Sequence, residues 1–191
     1  MKIGIDISQL AYPNTGVANL LKNLVEHLVS IDHENDYVLF FSSLRQNFQF
    51  SIFNFQSTPK NVKTKTFKLP PTLLDVLWNK LHIVPIEWFV GDIDVFITSD
   101  WVEPPAKKAK KITVLYDLIV YKYPEETHNQ VEFNPLKMII SPNIVTSQKN
   151  RLKWVKKESQ KILCISEATK KDAMEILGIS EDKLHVTYPG I

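Results

Sequence analysis

Residues 2–30, KIGIDISQLAYPNTGVANLLKNLVEHLVS, decide the fold of this chain. Isoleucines alternate with Gly or Asp from Ile3 to Ile7, which is typical of a β-strand. A loop rich in turn residues occupies 11–15, and after Gly16 apolar residues recur at the i, i+3, i+4, i+7 spacing of one helical face. A strand that enters a helix in this way leaves unpaired backbone N–H groups at its carboxyl end, where open α/β sheets bind ligands. The stretch therefore predicts the centre of the fold and the first wall of a ligand site.

Length and composition describe an ordinary globular domain. The 191 residues suffice for one domain with a substantial core, and 44% apolar with 23% charged residues is typical of a globular protein. Five Gly and eleven Pro exclude a low-complexity chain. The net charge of +2 is too small to indicate a nucleic-acid partner. No apolar run is long enough to span a bilayer, and the first residues lack a signal pattern. Together with the lone Cys164, which predicts a buried thiol in a reducing compartment, these features predict a cytoplasmic protein.

The remaining sequence alternates predicted strands with predicted helices. Predicted strands follow at 37–42, 62–67, 94–98, 111–116, 161–165 and 183–188, and predicted helices lie at 71–83, 142–158 and 167–177. Segment 44–55 interleaves amides with phenylalanines and fits either a short edge strand or an irregular loop, while the polar stretch 117–129 predicts a loop that lines the site. The alternation predicts an α/β fold with a Rossmann-like, mostly parallel sheet of about seven strands and helices on both faces.

Helix boundaries and core positions give further expectations. Ser141 is predicted to cap a helix that has Pro142 in its first turn, and Ser166 to cap the last helix, which Gly178 ends. The side chains predicted to face the core include Leu73, Leu77 and Leu81 of the helix at 71–83, together with Trp78 and Trp88. The five histidines lack the spacing of metal ligands, so no metal site is predicted.

Four segments of the sequence carry a resemblance to a known family. They are IGID with TGVAN at 3–6 and 15–19, VLYDLI with YPE at 114–119 and 123–125, RLKWVKK with ILCISE at 151–157 and 162–167, and KLHVTYPGI at 183–191. In this order the segments resemble the N-terminal half of a family-4 glycosyltransferase, whose GT-B architecture has two facing Rossmann-like domains. The resemblance covers nearly the whole chain and implies that residues 1–191 form a single acceptor-side domain.

Two residues depart from the pattern of that family. Tyr116 stands where relatives place a histidine beside the transferred sugar, and Ala18 stands at the second glycine of the family's loop. A Cβ at that second position limits how closely a ligand can reach the backbone. The departures leave two functions open, a working half of a glycosyltransferase and a half without catalytic activity.

The resemblance also implies a set of site residues at or just after the ends of predicted strands. The catalytic candidates are Tyr116 and Asp117, and the substrate-binding candidates are Gly16, Val17, Asp100, Trp101, Ser166 and Glu167. Backbone N–H groups near Gly16 and Val17 would stabilise a leaving diphosphate at the positive end of a helix. The alternative for each of these three residues is a structural role, in which Gly16 begins a helix, Asp117 forms a turn and Tyr116 supports the fold.

The implied activity is the retaining transfer of a hexose from a nucleotide-sugar co-substrate to a sugar or lipid-linked acceptor, with no metal or bound cofactor. The implied partner is a C-terminal donor-binding domain outside residues 1–191, in cis or in trans, so we expect the chain alone to be inactive. The alternative is a stand-alone, non-catalytic half that forms a homodimer or pairs with another half. A third interpretation is a dinucleotide-binding module, although the G-x-G-x-x-G sequence is missing.

A basic run surrounds the helix predicted at 142–158. It comprises Lys149, Arg151, Lys153, Lys156, Lys157 and Lys161. A run of this kind is usually a solvated helix face, and the alternative is weak contact with an anionic membrane surface on the inner side of the membrane.

Overall fold

The computed structural model describes residues 1–55, 59–127 and 143–189. These ranges contain one sheet of seven parallel strands: β1 (Lys2–Asp6), β2 (Asp36–Ser42), β3 (Val62–Phe67), β4 (Val95–Thr98), β5 (Lys110–Leu115), β6 (Ser159–Cys164) and β7 (Leu184–Val186). The strand order is β3-β2-β1-β4-β5-β6-β7, so the first strand lies inside the sheet. The predicted Rossmann-like, mostly parallel sheet of about seven strands is confirmed.

Helices cover both faces of this sheet. They are α1 (Gly16–Ile31), α2 (Pro71–Leu74), α3 (Glu87–Val90), α4 (Ile119–Lys122), α5 (Ile144–Glu158) and α6 (Glu167–Leu177), with 3₁₀ turns at Ser8–Ala11, Phe50–Ile52 and Glu181–Lys183. Neighbouring residues of β2 point to opposite faces. Phe40 belongs to the same apolar cluster as Trp78, whereas Phe41 belongs to the cluster that contains Val25 of α1. Each face therefore has its own apolar core.

The ends of α1 and α6 follow the sequence prediction. The Thr15 side chain caps α1, because its Oγ1 accepts a hydrogen bond from the Ala18 amide at 3.2 Å. The bounds of α6 are those predicted, with Ser166 as N-cap and Gly178 in the left-handed conformation at φ 61°. Glycine adopts that conformation without the steric cost that a Cβ brings.

The predicted cap of α5 is wrong. The N-cap is Asn143, whose Oδ1 accepts a hydrogen bond from the Val145 amide at 2.9 Å. Asparagine caps helices as well as serine does. The Ser-Pro pair at 141–142 is also typical of a helix start, so the predicted cap lies two residues before the observed one. Ser141 and Pro142 themselves lie outside the described residues.

The predicted helix at 71–83 forms in a different register. A π-helical stretch, Asp75–Lys80, continues α2, and π turns hold more residues than α turns. The inward face therefore departs from the 3.6-residue pattern. Leu74 and Trp78 are buried, but Leu73 is 40% and Leu81 58% exposed, so the predicted place of these two leucines in the core is wrong.

Trp88 lies on the surface instead of in the predicted core. Its side chain is 67% exposed, and Lys107 Nζ lies 5.3 Å from the ring centroid. The neighbouring Glu87 holds α3 in this orientation, since its carboxylate accepts hydrogen bonds from the amides of residues 107–109. Trp78 is fully buried, as predicted.

Segment 44–55 is an irregular loop with one 3₁₀ turn, which settles the choice that the sequence left open. Its phenylalanines turn inward and pack on one another and on β2. The ring centroids of Phe48 and Phe41 are 5.4 Å apart, and those of Phe53 and Phe55 are 5.3 Å apart. Aromatic contacts of this kind hold the loop against the core without backbone pairing.

Gly4 allows β1 and β4 to lie side by side, and replacing it tests this close packing. A Cβ on Gly4 would lie 2.7 Å from Cδ2 of Phe96, a ring that is fully buried. We expect Gly4→Ala to lower the free energy of unfolding by about 1–3 kcal/mol, because overpacking forces a buried ring out of place. Urea denaturation measures the loss. Adding Phe96→Leu should recover part of it, and an unchanged Gly4→Ala protein would contradict the expectation.

A buried charge network joins β5 to the segment that follows β4. Lys111 Nζ lies 2.8 Å from Glu103 Oε1 and 3.0 Å from Glu158 Oε2. Glu103 has no exposed surface, and its Oε2 accepts a hydrogen bond from Thr98 Oγ1 at 2.8 Å. The Lys111 ammonium is thus the cation that both carboxylates share.

The same network reaches the helical layer through His82. Its Nε2 lies 2.8 Å from Glu158 Oε1, its Nδ1 lies 2.8 Å from the Trp78 carbonyl, and its ring stacks on Trp154 at 3.7 Å. Both ring nitrogens therefore lie within hydrogen-bond distance of oxygen atoms. Burial raises the pKa of Glu158, but the charges and hydrogen bonds of Lys111 and His82 outweigh it, so the pKa lies below its usual value.

Candidate functional site

The candidate site lies at the carboxyl edge of the sheet, the edge at which all the parallel strands end. From β1 the chain runs outward to β2 and β3, and then returns to β4 on the other side of β1. The crevice between β1 and β4 is therefore the topological switch point, where open α/β sheets bind their ligands. The predicted site residues follow β1, β4, β5 and β6 at this edge.

The first turn of α1 offers two unpaired N–H groups to this crevice. Among the described residues, the amides of Gly16 and Val17 have no hydrogen-bond acceptor, whereas the Ala18 amide is capped by Thr15. A Cβ placed on Gly16 would meet no atom within 4 Å, so the space beside it is open. Ala18 is buried in the core cluster. Ala18 stands where the family has its second glycine, but its own amide is already bonded to Thr15. The amides of Gly16 and Val17 therefore remain available to an anionic group.

Tyr116 lies at the end of β5 with 8% of its surface exposed. Its hydroxyl is 3.3 Å from Ser99 Oγ, and its carbonyl accepts a hydrogen bond from Thr169 Oγ1 at 2.9 Å. Burial raises the pKa of Tyr116 to about 12. The hydroxyl is consequently protonated at neutral pH, where it can donate or accept a hydrogen bond but cannot serve as a base. Tyr116 belongs to the same core cluster as Ala18 of α1.

Two carboxyl groups, Asp6 and Asp100, lie at the ends of the adjacent strands β1 and β4. Burial raises the pKa of both above the usual range, and the charge of Arg151 opposes the effect in each case. Arg151 is only 2% exposed, and its Nη2 donates to the carbonyls of Ser99 and Val114. A buried guanidinium thus lies close enough to two carboxyls to lower the cost of their charged forms, which burial raises.

Side chains from two helical segments fix the loop that carries Asp100 and Trp101. Gln148 of α5 donates to the Asp100 carbonyl at 2.8 Å, and Asn79 donates to the Trp101 carbonyl at 2.9 Å. Asn79 Oδ1 also accepts from the Glu103 amide at 3.0 Å. The Trp101 ring remains partly exposed above this rigid loop. The loop is therefore preorganised by contacts that lie below the surface.

The other predicted site residues have local hydrogen bonds of their own. Asp117 is exposed and accepts from the Ile119 amide at 3.0 Å, which is the turn-forming role that the sequence left open. Ser166 accepts from the Thr169 amide at 3.1 Å as the cap of α6, and Glu167 is exposed in the first turn of that helix. Their roles toward a substrate stay predictions. Asp117 is close enough to Asp100 to affect its ionisation.

Sequence reasoning missed Asp6, Ser99 and Arg151. The basic run predicts a solvated face that includes Arg151, and this prediction is wrong for Arg151 because its side chain is buried. Its spacing holds a usable signal, since it lies four residues before the buried Val155 on the same face of α5. Asp6, an acidic residue between isoleucines at the end of a strand, offered a weaker signal.

The raised pKa of Asp6 predicts an unusual pH dependence. Its folded pKa lies above the unfolded value, so the stability it contributes is present below pH 3.8 and is lost as the pH rises through the folded pKa. We expect Asp6→Asn to raise the free energy of unfolding by about 1 kcal/mol at pH 7 and to have no such advantage at pH 3. Urea denaturation across this pH range measures the difference. A gain confined to acid pH would contradict the assignment.

Neither a metal cluster nor a membrane-spanning helix occurs in the described part of the chain. No group of three His, Cys, Asp or Glu side chains there is arranged to hold a metal ion. No helix there is both long and apolar enough to cross a bilayer. Cys164 is buried as predicted, and burial raises the pKa of its thiol to about 11.

Comparison with solved structures shows where this architecture recurs. The chain superposes over 100% of its length on 52% of apo UGT2 from Phytolacca americana, with a TM-score of 0.54 and 12% identity. It covers 52% of the same protein in complex with UDP-2fluoro-glucose and pterostilbene, with a TM-score of 0.50 and 11% identity. A ugt transferase from Siraitia grosvenorii in complex with UDP gives a TM-score of 0.50 at 10% identity over 99% of this chain and 50% of that one.

The chain has the fold of one half of a GT-B glycosyltransferase. It spans about half the length of these UDP-glycosyltransferases. No protein-family model matches the sequence, and no curated protein is similar enough to match. At these identities the similarity shows the fold alone. It confirms the part of the sequence resemblance that predicts a glycosyltransferase-like half-domain.

Proposed function

We propose that this chain is the acceptor-side half of a nucleotide-sugar-dependent glycosyltransferase and works with a second, donor-binding half. The observation that carries the proposal is the superposition of the whole chain on about half of a GT-B enzyme. The structural neighbours are described in complex with UDP or UDP-2fluoro-glucose, which supports a nucleotide sugar as the donor here. In a two-domain enzyme of this kind each half would form one wall of the cleft in which the sugar is transferred. In this chain that wall would be the carboxyl edge of the sheet.

The chemistry proposed for this wall follows from the groups that face the crevice. The free amides of Gly16 and Val17 would stabilise negative charge on a leaving diphosphate, at the positive end of a 16-residue helix. Tyr116, protonated at neutral pH, would donate a hydrogen bond near the transferred sugar. Asp100 and Trp101 would contact the acceptor from their fixed loop. The retaining outcome and the membership of family 4 remain parts of the proposal that rest on the sequence resemblance.

Activity assays with and without a second half test this proposal. The chain alone, incubated with a panel of nucleotide sugars and acceptors, is expected to give negligible transfer. The same chain, supplied with a donor-binding half in cis or in trans, is expected to transfer sugar, and NMR of the product gives its anomeric configuration. Robust turnover by residues 1–191 alone would overturn the need for a second half, and an inverted product would overturn the retaining assignment.

Gly16→Leu isolates the role of the first turn of α1. Because the space beside Gly16 is open, we expect the free energy of unfolding to change by less than about 0.5 kcal/mol. The leucine would occupy the approach to the two free amides, so UDP binding measured by NMR titration should weaken roughly tenfold or more. Asn19→Leu, one turn further along the same helix, is the control. Equal UDP affinity in Gly16→Leu and the unmodified chain would remove these amides from the donor site.

A second candidate function is a stand-alone half that pairs with itself. The observation that favours it is the Tyr116 hydroxyl, which cannot act as a base at neutral pH and stands where the family has a histidine. Pairing through the carboxyl edge would then replace catalysis. Sedimentation over a wide concentration range tests it, and a strict monomer would count against self-association.

A further inference from the structure

We propose that a pocket beside the start of α1 binds the acceptor, and that this acceptor is a neutral, hydroxyl-rich sugar. We call it the amide pocket; its polar lining consists of Gln46, Asn47, Gln49 and Ser51, with Phe48 and Pro13 as apolar walls. Its volume is about 310 Å³, at the lower end of the range of small-ligand sites. The inference rests on the proposed function and names the substrate class of the half that this chain provides.

The position of the amide pocket suits an acceptor. One wall comes from the loop between β1 and α1, which includes Leu10 and Pro13, and the other from segment 44–55, which follows β2. Both segments leave the carboxyl edge of the sheet. Pro13 is three residues before Gly16, whose free amide faces the proposed diphosphate position. An acceptor in this pocket would therefore lie next to the leaving group.

The sequence of segment 44–55 explains how the amides come to face the pocket. Phenylalanines alternate with amides, and Phe53 is buried while Phe48 packs on Phe41 and Phe53 at 5.4 and 6.1 Å between ring centroids. This inward packing fixes the loop from below and leaves the intervening amides outside. Among the described residues, the side-chain amides of Gln46, Asn47 and Gln49 have no intramolecular hydrogen-bond partner. Three donor–acceptor groups are thus free on one rigid surface.

The chemistry of the lining selects the class of ligand. The pocket has no Asp, Glu, Lys, Arg or His in its lining, so it offers nothing to neutralise a phosphate or a carboxylate. Each amide can donate to one sugar hydroxyl and accept from another. The ring of Phe48 and the face of Pro13 complement the apolar face of a sugar ring. A nucleotide diphosphate is therefore better placed at the N–H groups of α1, and a neutral glycoside in the amide pocket.

An NMR titration of the uniformly ¹⁵N-labelled chain with methyl α- and β-glycosides of glucose, galactose and mannose tests the proposal. At least one glycoside is expected to shift the amide signals of residues 10–13 and 46–52 at roughly millimolar concentrations, the affinity of a shallow site with few buried contacts. Glucose 1-phosphate should bind there more weakly than the matching neutral glycoside. The absence of shifts from every glycoside, or shifts confined to other residues, would overturn the proposal.

Matched variants show whether the amides carry the binding. Gln46→Ala/Asn47→Ala should weaken glycoside binding roughly tenfold, as two lost hydrogen bonds predict. Asn54→Ala removes an exposed amide from the same segment outside the pocket, and should leave the affinity within about twofold. Since the map of shifts in the unmodified chain needs no variant, it stands even if the double variant folds poorly. Equal affinity in a folded double variant would overturn the role of the amides.

The failure of this inference and the failure of the proposed function are distinguishable. If glycosides bind in the amide pocket but no donor-binding half gives transfer, the pocket stands and the glycosyltransferase proposal fails. If transfer occurs and Gln46→Ala/Asn47→Ala leaves the KM for the acceptor unchanged, the function stands and the pocket assignment fails.

Discussion

Lys111→Ala is expected to lower the free energy of unfolding by about 3–5 kcal/mol, because it leaves the buried Glu103 and the partly buried Glu158 without their common cation. Lys111 Nζ is within 3.0 Å of both Glu103 and Glu158, and Glu103 has no exposed surface at all. A charge of that kind, once unpaired, cannot be solvated and must take up a proton or expose itself. Urea denaturation at pH 7 measures the loss.

Two further variants separate the buried charge from the lysine side chain itself. Lys110→Ala removes the neighbouring lysine, which is exposed, and should change stability by less than about 0.5 kcal/mol. Lys111→Met/Glu103→Gln removes both charges while an amide oxygen still accepts from Thr98, so it should be more stable than Lys111→Ala. A Lys111→Ala protein that matches Lys110→Ala in stability would show that the network contributes little.

The parts of the fold that sequence predicted are those with strong local signals. Strand β3 and helix α6 have the predicted bounds, because alternation over 62–67 and a Ser cap with a Gly stop depend on neighbouring residues alone. The sheet follows from the sequence of such elements, since strands separated by helices favour parallel pairing. The π-helical stretch Asp75–Lys80 could not be predicted in this way, because a search for a 3.6-residue period does not detect the wider turn of a π-helix.

The parts that sequence could not predict depend on partners distant in the chain. Lys111 opens a predicted strand as a polar residue, and its burial is tolerable because Glu103 and Glu158, the latter 47 positions away, both lie within 3.0 Å of its ammonium. The sequence predicts Gly16, Tyr116 and Asp100 near the ends of strands, but it does not predict that Arg151 is buried where its charge acts on Tyr116 and Asp100. A single sequence shows which residues are charged and how they are spaced. Whether burying one of those charges stabilises or destabilises the fold depends on where the opposite charge lies in space.

Arg151→Leu is the variant expected to connect stability with the candidate site. It removes the buried donor to the carbonyls of Ser99 and Val114 and the positive charge near Asp6 and Asp100. The variant leaves buried carbonyls without a charged donor and two carboxyls without a nearby cation. We therefore expect its free energy of unfolding to fall by about 3 kcal/mol or more. Because loss of the cation raises the pKa of both carboxyls further, the deficit should grow as the pH rises from 3 towards 7.

Two substitutions on the same helix decide what Arg151 contributes. Lys153→Leu removes an exposed charge two residues away and should be nearly neutral. Arg151→Lys keeps the charge but loses the planar fork that reaches two carbonyls, so its stability should lie between those of Arg151→Leu and the unmodified chain. If Arg151→Lys is as stable as the unmodified chain, charge alone holds the site, and the loop at 99–101 needs only Gln148 and Asn79. If Arg151→Leu is also as stable as the unmodified chain, Asp6 and Asp100 do not need a nearby cation, and burial alone sets their raised pKa values.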